Sequence, residues 1–209
     1  MLRSLFLTLF LIVIVAMPVR AQDGAAVAVV RDTSDQLLTA LRAERGRLSG
    51  DRLALMSLVE QILMPALDFR LTARLALGRA ARDADEVQLR RFEGLFREML
   101  LRTYTAPLLE YADDIRIEFP PPLPPRETDR ATVRTELLIG DRPAVPVNYA
   151  MRRVDGQWRV YDVVIAGISA VITLRRDFES DIRKQGLDGF MDRLESHIGA
   201  LRARDATER

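Results

Sequence analysis

The stretch AVPVNYAMRRVDGQWRVYDVVIAG, residues 144–167, decides the fold. Its apolar residues recur at period two, as a half-buried strand requires, because successive side chains leave a strand on opposite faces. Val145, Val147, Tyr149 and Met151 share one face of a strand over residues 144–153. Asp155-Gly156 is a hairpin dipeptide, since the tightest hairpin turns need positive φ at both central positions. Residues 158–165, starting at Trp158, are then the antiparallel partner, apolar on both faces apart from Arg159 and Asp162. Gly167 ends that strand. Upstream, residues 131–139 place Val133, Leu137 and Ile139 on one side of another strand, and Ile115, Ile117 and Phe119 share the face of a fourth.

Further out the period becomes helical. Thr33 with Gln36 reads as a capping box for a first helix reaching Arg45, with Leu37, Leu38 and Leu41 on one stripe. Asp51 caps a second helix that Pro65 ends or kinks. Asp68 caps a third, from Phe69 to Leu77, closed by Gly78. Asp83 with Glu86 opens a long helix whose stripe is Leu89, Phe92, Leu95, Phe96, Met99, Leu100 and Tyr104. Pro107 marks a kink in it or its end. After the strands, helical spacing resumes at Ile168, runs through Phe178 and Ile182 to Gly186, and continues in a last helix through Leu194. The tail after Leu201 reads as frayed. Helices segregated from a run of antiparallel strands predict an α+β fold: helices around one face of a curved, mainly antiparallel four-stranded sheet, enclosing an apolar cavity.

The first 21 residues read differently. Arg3 precedes an apolar run of about 13 residues, which Pro18 breaks, and Val19 and Ala21 occupy the small-residue positions of a signal-peptidase site. That run falls short of the ~20 residues a membrane-spanning helix needs. Residues 1–21 are therefore expected to be a cleaved export signal, and residues 22–209 a single domain in the periplasm. The absence of cysteine excludes a lipoprotein anchor and a disulfide staple. Beyond residue 21 the chain holds 29 basic and 30 acidic residues, a balance without the clustered basic excess that nucleic acid demands.

Catalytic chemistry is poorly supplied. The single histidine, His197, lies on the polar side of the last helix, where a solvated role is expected. One histidine and no cysteine offer no metal site, and no cofactor fingerprint or nucleophile elbow appears. Asp113-Asp114 reads as a solvated pair. Asp162 stands inside an apolar strand, so it needs an edge position, an arginine partner or a ligand. An enzymatic dyad of Tyr161 and Asp162 is disfavoured because strand neighbours point to opposite faces. What remains is apolar payload, which periodicity alone reads as core more readily than as pocket.

Three segments add to this reading. LDFRLTARLALGRAARDADEVQLRRFEGLFREMLLRTY (residues 67–104), DGQWRVYDVVIAGISAVITLRRDF (155–178) and IRKQGLDGFMDRL (182–194) resemble, in order, the MlaC family of periplasmic phospholipid-binding proteins, also called the toluene-tolerance auxiliary component of an ABC transport system. The most specific matches are Trp158, Val160, Tyr161, Asp162 and Val163 with Gly167-Ile168-Ser169, and Asp68, Phe69, Ala73, Arg74, Leu77 and Gly78. Departures are Arg79-Ala80-Ala81, where family members often carry aromatics, Leu174-Arg175 after the sheet, and the proline run at residues 120–125.

The resemblance implies a non-enzymatic carrier without cofactor or metal. It would shuttle phospholipid between an outer-membrane lipoprotein complex and an inner-membrane ABC transporter complex, maintaining outer-membrane lipid asymmetry. It places the acyl tails between Val147, Tyr149, Val160 and Val164 of the sheet and Phe69, Leu75, Phe92, Phe96, Leu100 and Tyr104 of the helices, with Ile168 and Val171 closing one end. Two alternatives stay open: a hopanoid-associated relative holding another apolar lipid, and an adaptor that binds only protein.

Overall fold

Asp155 and Gly156 take φ of 50° and 79°, the paired positive values whose twist suits the flanking strands. On either side of this turn run β3 (Val145–Val154) and β4 (Gln157–Ile165). The computed structural model describes residues 20–121 and 129–207 of the chain. Its sheet has the order β1-β2-β3-β4-β5, antiparallel throughout, with β1 at Ile115–Glu118 and β2 at Arg130–Ile139. The fifth strand, β5 (Ile168–Ser169), adds to the four expected. A second tight turn, with Ala166 and Gly167 at φ of 50° and 82°, folds it back on β4. Two residues carry no period, so sequence alone passed from strand to helix there.

β4 does not keep period two. Ala150 pairs with Asp162 but Met151 pairs with Val160, which leaves Tyr161 as an extra residue, a β-bulge. Before the bulge, Trp158 and Val160 face inward with Met151. After it, Val163 and Ile165 do, opposite Tyr149 and Val147.

The helices are α1 (Arg20–Ala43), α2 (Arg45–Leu48), α3 (Arg52–Leu63), α4 (Phe69–Leu77), α5 (Ala80–Asp83), α6 (Glu86–Tyr111) and α7 (Ala170–Thr207). Asp51 and Asp68 cap α3 and α4 as expected, accepting from the Ala54 and Leu71 amides. Pro65 lies in a 3-10 turn, Met64–Ala66, that ends the α3 segment. Three expectations are corrected. Thr33 and Gln36 lie inside α1, because the Ala/Val run before them is already helical. The capping box of α6 is Asp85 with Gln88, two residues past Asp83, which ends α5. The segment after Leu201 is helical to Thr207, because Asp205 is tied into the interior: it meets Arg52 at 3.1 Å and pairs with Arg102. Pro107 sits within α6, and Gly186, at φ 75° and ψ 172°, breaks α7 into two helical arms.

The helical half buries a cluster of Phe69, Phe92, Phe96, Phe178 and Phe190 between α4, α6 and α7. A second cluster joins α1, α2 and α3 to the end of α6, and a third packs Ala26 and Val30 of α1 on Val133, Met151, Trp158 and Val160 of the sheet. No helix among the described residues is long and apolar enough to cross a membrane. The proposed export signal lies outside the described residues except for Arg20 and Ala21, as does the proline run beyond Pro121.

Candidate functional site

The inner face of the sheet is not filled by the helix above it. A cavity of about 320 Å³ lies between α1, the end of α3 and the strands. α1 supplies Val29, Val30, Leu37 and Leu38, and the turn after α3 supplies Ala66 and Leu67 beside Leu63. Leu108 of α6 joins them. The floor is Ile115 and Ile117 of β1, Leu137 of β2, Val147 and Tyr149 of β3, and Val160, Val163 and Ile165 of β4. Of eighteen lining residues only Thr33, Ser34 and Tyr149 carry a polar side-chain atom. Burial pushes the Tyr149 phenol above its ordinary pKa, against a smaller opposing effect of its bond with Thr135, so it stays neutral near pH 7.

The hollow persists because its lining is mostly Val, Ile, Leu and Ala, with Tyr149 its one ring, while the five clustered phenylalanines lie in the helical core. Phe92 stacks on Phe96 with centroids 5.3 Å apart, and Phe96 on Phe69 at 5.5 Å. α1 is fastened at its C-terminal end. Arg42 donates to the carbonyls of Ala112 and Ile115, both at 2.8 Å, and Arg45 donates to Leu109 and meets Asp113, again at 2.8 Å. Toward its other end the helix rests on the sheet through apolar packing by Ala26 and Val30.

The bulge is also where the helical half docks. The Asp68 amide donates to the Val160 carbonyl at 2.8 Å, the Thr72 hydroxyl donates to Tyr161 at 3.0 Å, and the Asp68 carboxylate pairs with Arg152. A strand that bends at Tyr161 therefore serves both layers.

Of the twelve side chains expected from sequence, Val147, Tyr149 and Val160 line the cavity. Phe69, Phe92, Phe96 and Val171 are buried in the helical core, with Leu75 and Leu100 packed against it. Tyr104 is exposed on α6. Val164 pairs with Asn148 on the outer face, because the bulge hands its expected place to Val163. Ile168 is exposed and pairs across the strands with Ile165, which lines the cavity and is itself half-exposed; Ile172, in the first turn of α7, is also exposed. Val29 and Val30 were missed for want of a helix start before Thr33, and Leu37 and Leu38 were read as the stripe of that helix without a place in the pocket. Once the helix is continuous, Val29, Val30, Thr33, Leu37 and Leu38 fall on one helical stripe.

The polar candidates have structural partners. Asp162 accepts from the Ser169 hydroxyl at 2.6 Å and from the Val171 amide at 3.2 Å, and Ser169 in turn accepts from the Ile172 amide at 3.0 Å. It caps α7. His197 is exposed, and no group of metal-ligating side chains occurs among the described residues.

Comparisons with known proteins agree with this architecture. The family model described as MlaC protein matches residues 31–196. The toluene tolerance protein ttg2D of Pseudomonas putida is 26% identical over 162 residues, spanning 77% of this chain and 74% of that protein. The intermembrane phospholipid transport system binding protein MlaC of Haemophilus influenzae is 22% identical over 170 residues, spanning 79% and 78%. Among solved structures, a phospholipid-binding protein from Ralstonia solanacearum in complex with a phospholipid superposes with a TM-score of 0.77 at 24% identity. That match covers 84% of this chain and 98% of the other.

Proposed function

The chain belongs to the MlaC family, and from that premise we propose that it is a periplasmic carrier that holds phospholipid tails in the cavity between α1 and the sheet. The observation that carries this reading is the apolar hollow itself, with three polar side chains among eighteen. The relatives support it, since one is named for intermembrane phospholipid transport and another was solved with a phospholipid bound. The physics gives the carrier its purpose. Burial of a methylene is worth ~0.8 kcal/mol, so about 30 methylenes resist entering water by on the order of 24 kcal/mol. A lipid crosses an aqueous compartment only when its tails are enclosed. The partners in this reading are an outer-membrane lipoprotein complex that exchanges lipid with the carrier and an inner-membrane ABC transporter complex.

The volume adds a requirement. A cavity of about 150 Å³ admits benzene, so 320 Å³ holds roughly a dozen carbons. Two full tails exceed that. In this reading α1 lifts from the sheet about its fastened C-terminal end as tails enter past Ile165 and Ile168, two exposed apolar side chains paired across β4 and β5. Nothing in the chemistry calls for catalysis: the polar groups near the cavity cap a helix or stay neutral.

Native mass spectrometry of protein purified from its own host tests the proposal. A bound mass matching a diacyl phospholipid is the expected result. A hopanoid mass would move the cargo class, and an empty protein with no organic-extractable lipid would leave the adaptor reading.

A further inference from the structure

A second concavity lies outside the lipid site and shares no lining residue with it. It is a groove of about 830 Å³ between α4, α5 and the first arm of α7. Its floor is apolar, made by Leu71, Leu75 and Ile182. Its walls carry five arginines, Arg74, Arg79, Arg82, Arg175 and Arg183, against one acid, Glu179. Arg175 stands 3.9 Å from that glutamate, and Arg74 reaches the Ala81 carbonyl. Arg79, Arg82 and Arg183 are exposed and meet no carboxylate among the described residues, in a chain where most other arginines of the helical half are paired. The excess of cation at this groove is thus uncompensated within the fold.

The groove's shape follows from the backbone. Leu71, Arg74 and Leu75 lie on one stripe of α4, which Gly78 closes, and Arg175, Glu179, Ile182 and Arg183 lie on one stripe of α7. Gly78 lets the two stripes meet: at φ +61° a Cβ there would stand 2.7 Å from both Arg175 Cδ and Glu179 Oε1.

We propose that this groove is a docking site for an acidic, amphipathic segment of a partner protein. Guanidinium forks grip carboxylates in pairs, and the leucine and isoleucine floor accepts the apolar side of the same segment. A bilayer surface fits less well, because a membrane is met by protruding apolar residues. The large exposed apolar side chains Leu53, Val87, Tyr104, Ile165, Ile168 and Ile172 all lie elsewhere, and here Leu71, Leu75 and Ile182 are half-buried. A lone phosphate would leave most of the volume empty.

The test uses the purified mature chain with a fluorescein-labelled peptide bearing glutamate on one helical face and leucine on the other. Binding is read by anisotropy. The expected result is saturable binding that weakens as salt rises, and that falls by about tenfold or more in Arg82→Glu/Arg183→Glu. Arg82→Lys/Arg183→Lys, which keeps the charge and loses the forks, should fall between. Thermal melts and the bound-lipid mass serve as controls that these exposed changes leave fold and cargo untouched, so that loss of peptide binding is separable from failure of the lipid reading. Equal affinity of wild type and both variants, or no binding by wild type, would overturn the proposal. So would cosedimentation of wild type with phosphatidylglycerol vesicles in preference to the peptide.

Discussion

Val163 and Val164 are neighbours in sequence, yet the bulge at Tyr161 sends one into the cavity and the other to the opposite face. Val163→Glu should empty the carrier and Val164→Glu should not. A glutamate at Val163 places a carboxyl group beside Tyr149, in a hollow with almost no polar partner. It either stays charged at high cost or takes up a proton. Where acyl chain fills the hollow, as proposed, it also displaces that chain. If about four methylenes lose their contacts at ~0.8 kcal/mol each, binding weakens by roughly 3 kcal/mol, on the order of a hundredfold or more. At Val164 the new side chain lies on the face that carries Asn148, half-exposed and outside the hollow, so retention should change by less than about threefold. Both variants are purified and read by native mass spectrometry for bound mass, with a thermal melt to confirm folding. Equal retention by the two, or loss in Val164→Glu alone, would show that the phase of β4 has been assigned wrongly or that cargo binds elsewhere.

Other outcomes follow from named contacts. Phe96→Ala removes a fully buried ring stacked on Phe92 and Phe69; denaturant titration should show a loss of about 3–5 kcal/mol, with cargo per folded molecule unchanged. Loss of cargo at an unchanged midpoint would instead place this ring at the lipid. Asp162→Ala removes the acceptor of the Val171 amide, leaving Ser169 to receive Ile172, and should cost about 1 kcal/mol, seen as faster amide exchange at Val171; unchanged exchange would contradict the capping role. The Glu98 carboxyl is held below its ordinary pKa by its bonds to Arg202 and, secondarily, Arg102, against a partial desolvation penalty. The unfolded chain then takes up this proton more readily, so the contribution is present above the ordinary carboxylate range and is lost as pH falls through the lowered value. Glu98→Gln should flatten the acid side of the stability curve, and superimposable curves would refute the linkage.

How much of this was legible depended on whether a residue's role is local. The hairpin at Asp155-Gly156, the caps at Asp51 and Asp68 and the stop at Gly78 are written in short-range backbone chemistry, and the chain obeys each. The bulge at Tyr161 is not, because it carries no glycine and is fixed by docking Thr72 and Asp68 on the strand. That one inserted residue accounts for Val164. Phe92 and Phe96 show the deeper difficulty: a stripe of large apolar side chains predicts burial equally well in core and in pocket. The hollow is lined instead by smaller residues, which leave the space that rings would fill. α1 was half-seen, since Thr33 carries a helix-start signal that the preceding alanines and valines override.

The pairing of Asp205 with Arg52 and Arg102 ties the far arm of α7 to both α3 and α6. Arg102 is almost wholly enclosed and shares its charge between Asp205 and Glu98, so without Asp205 it keeps Glu98 as its one carboxylate partner among the described residues. Asp205 comes from the last helical turn. Removing the turn that carries Asp205 should therefore be felt where α3 meets α6, because Arg52 and Arg102 lose the same carboxylate together.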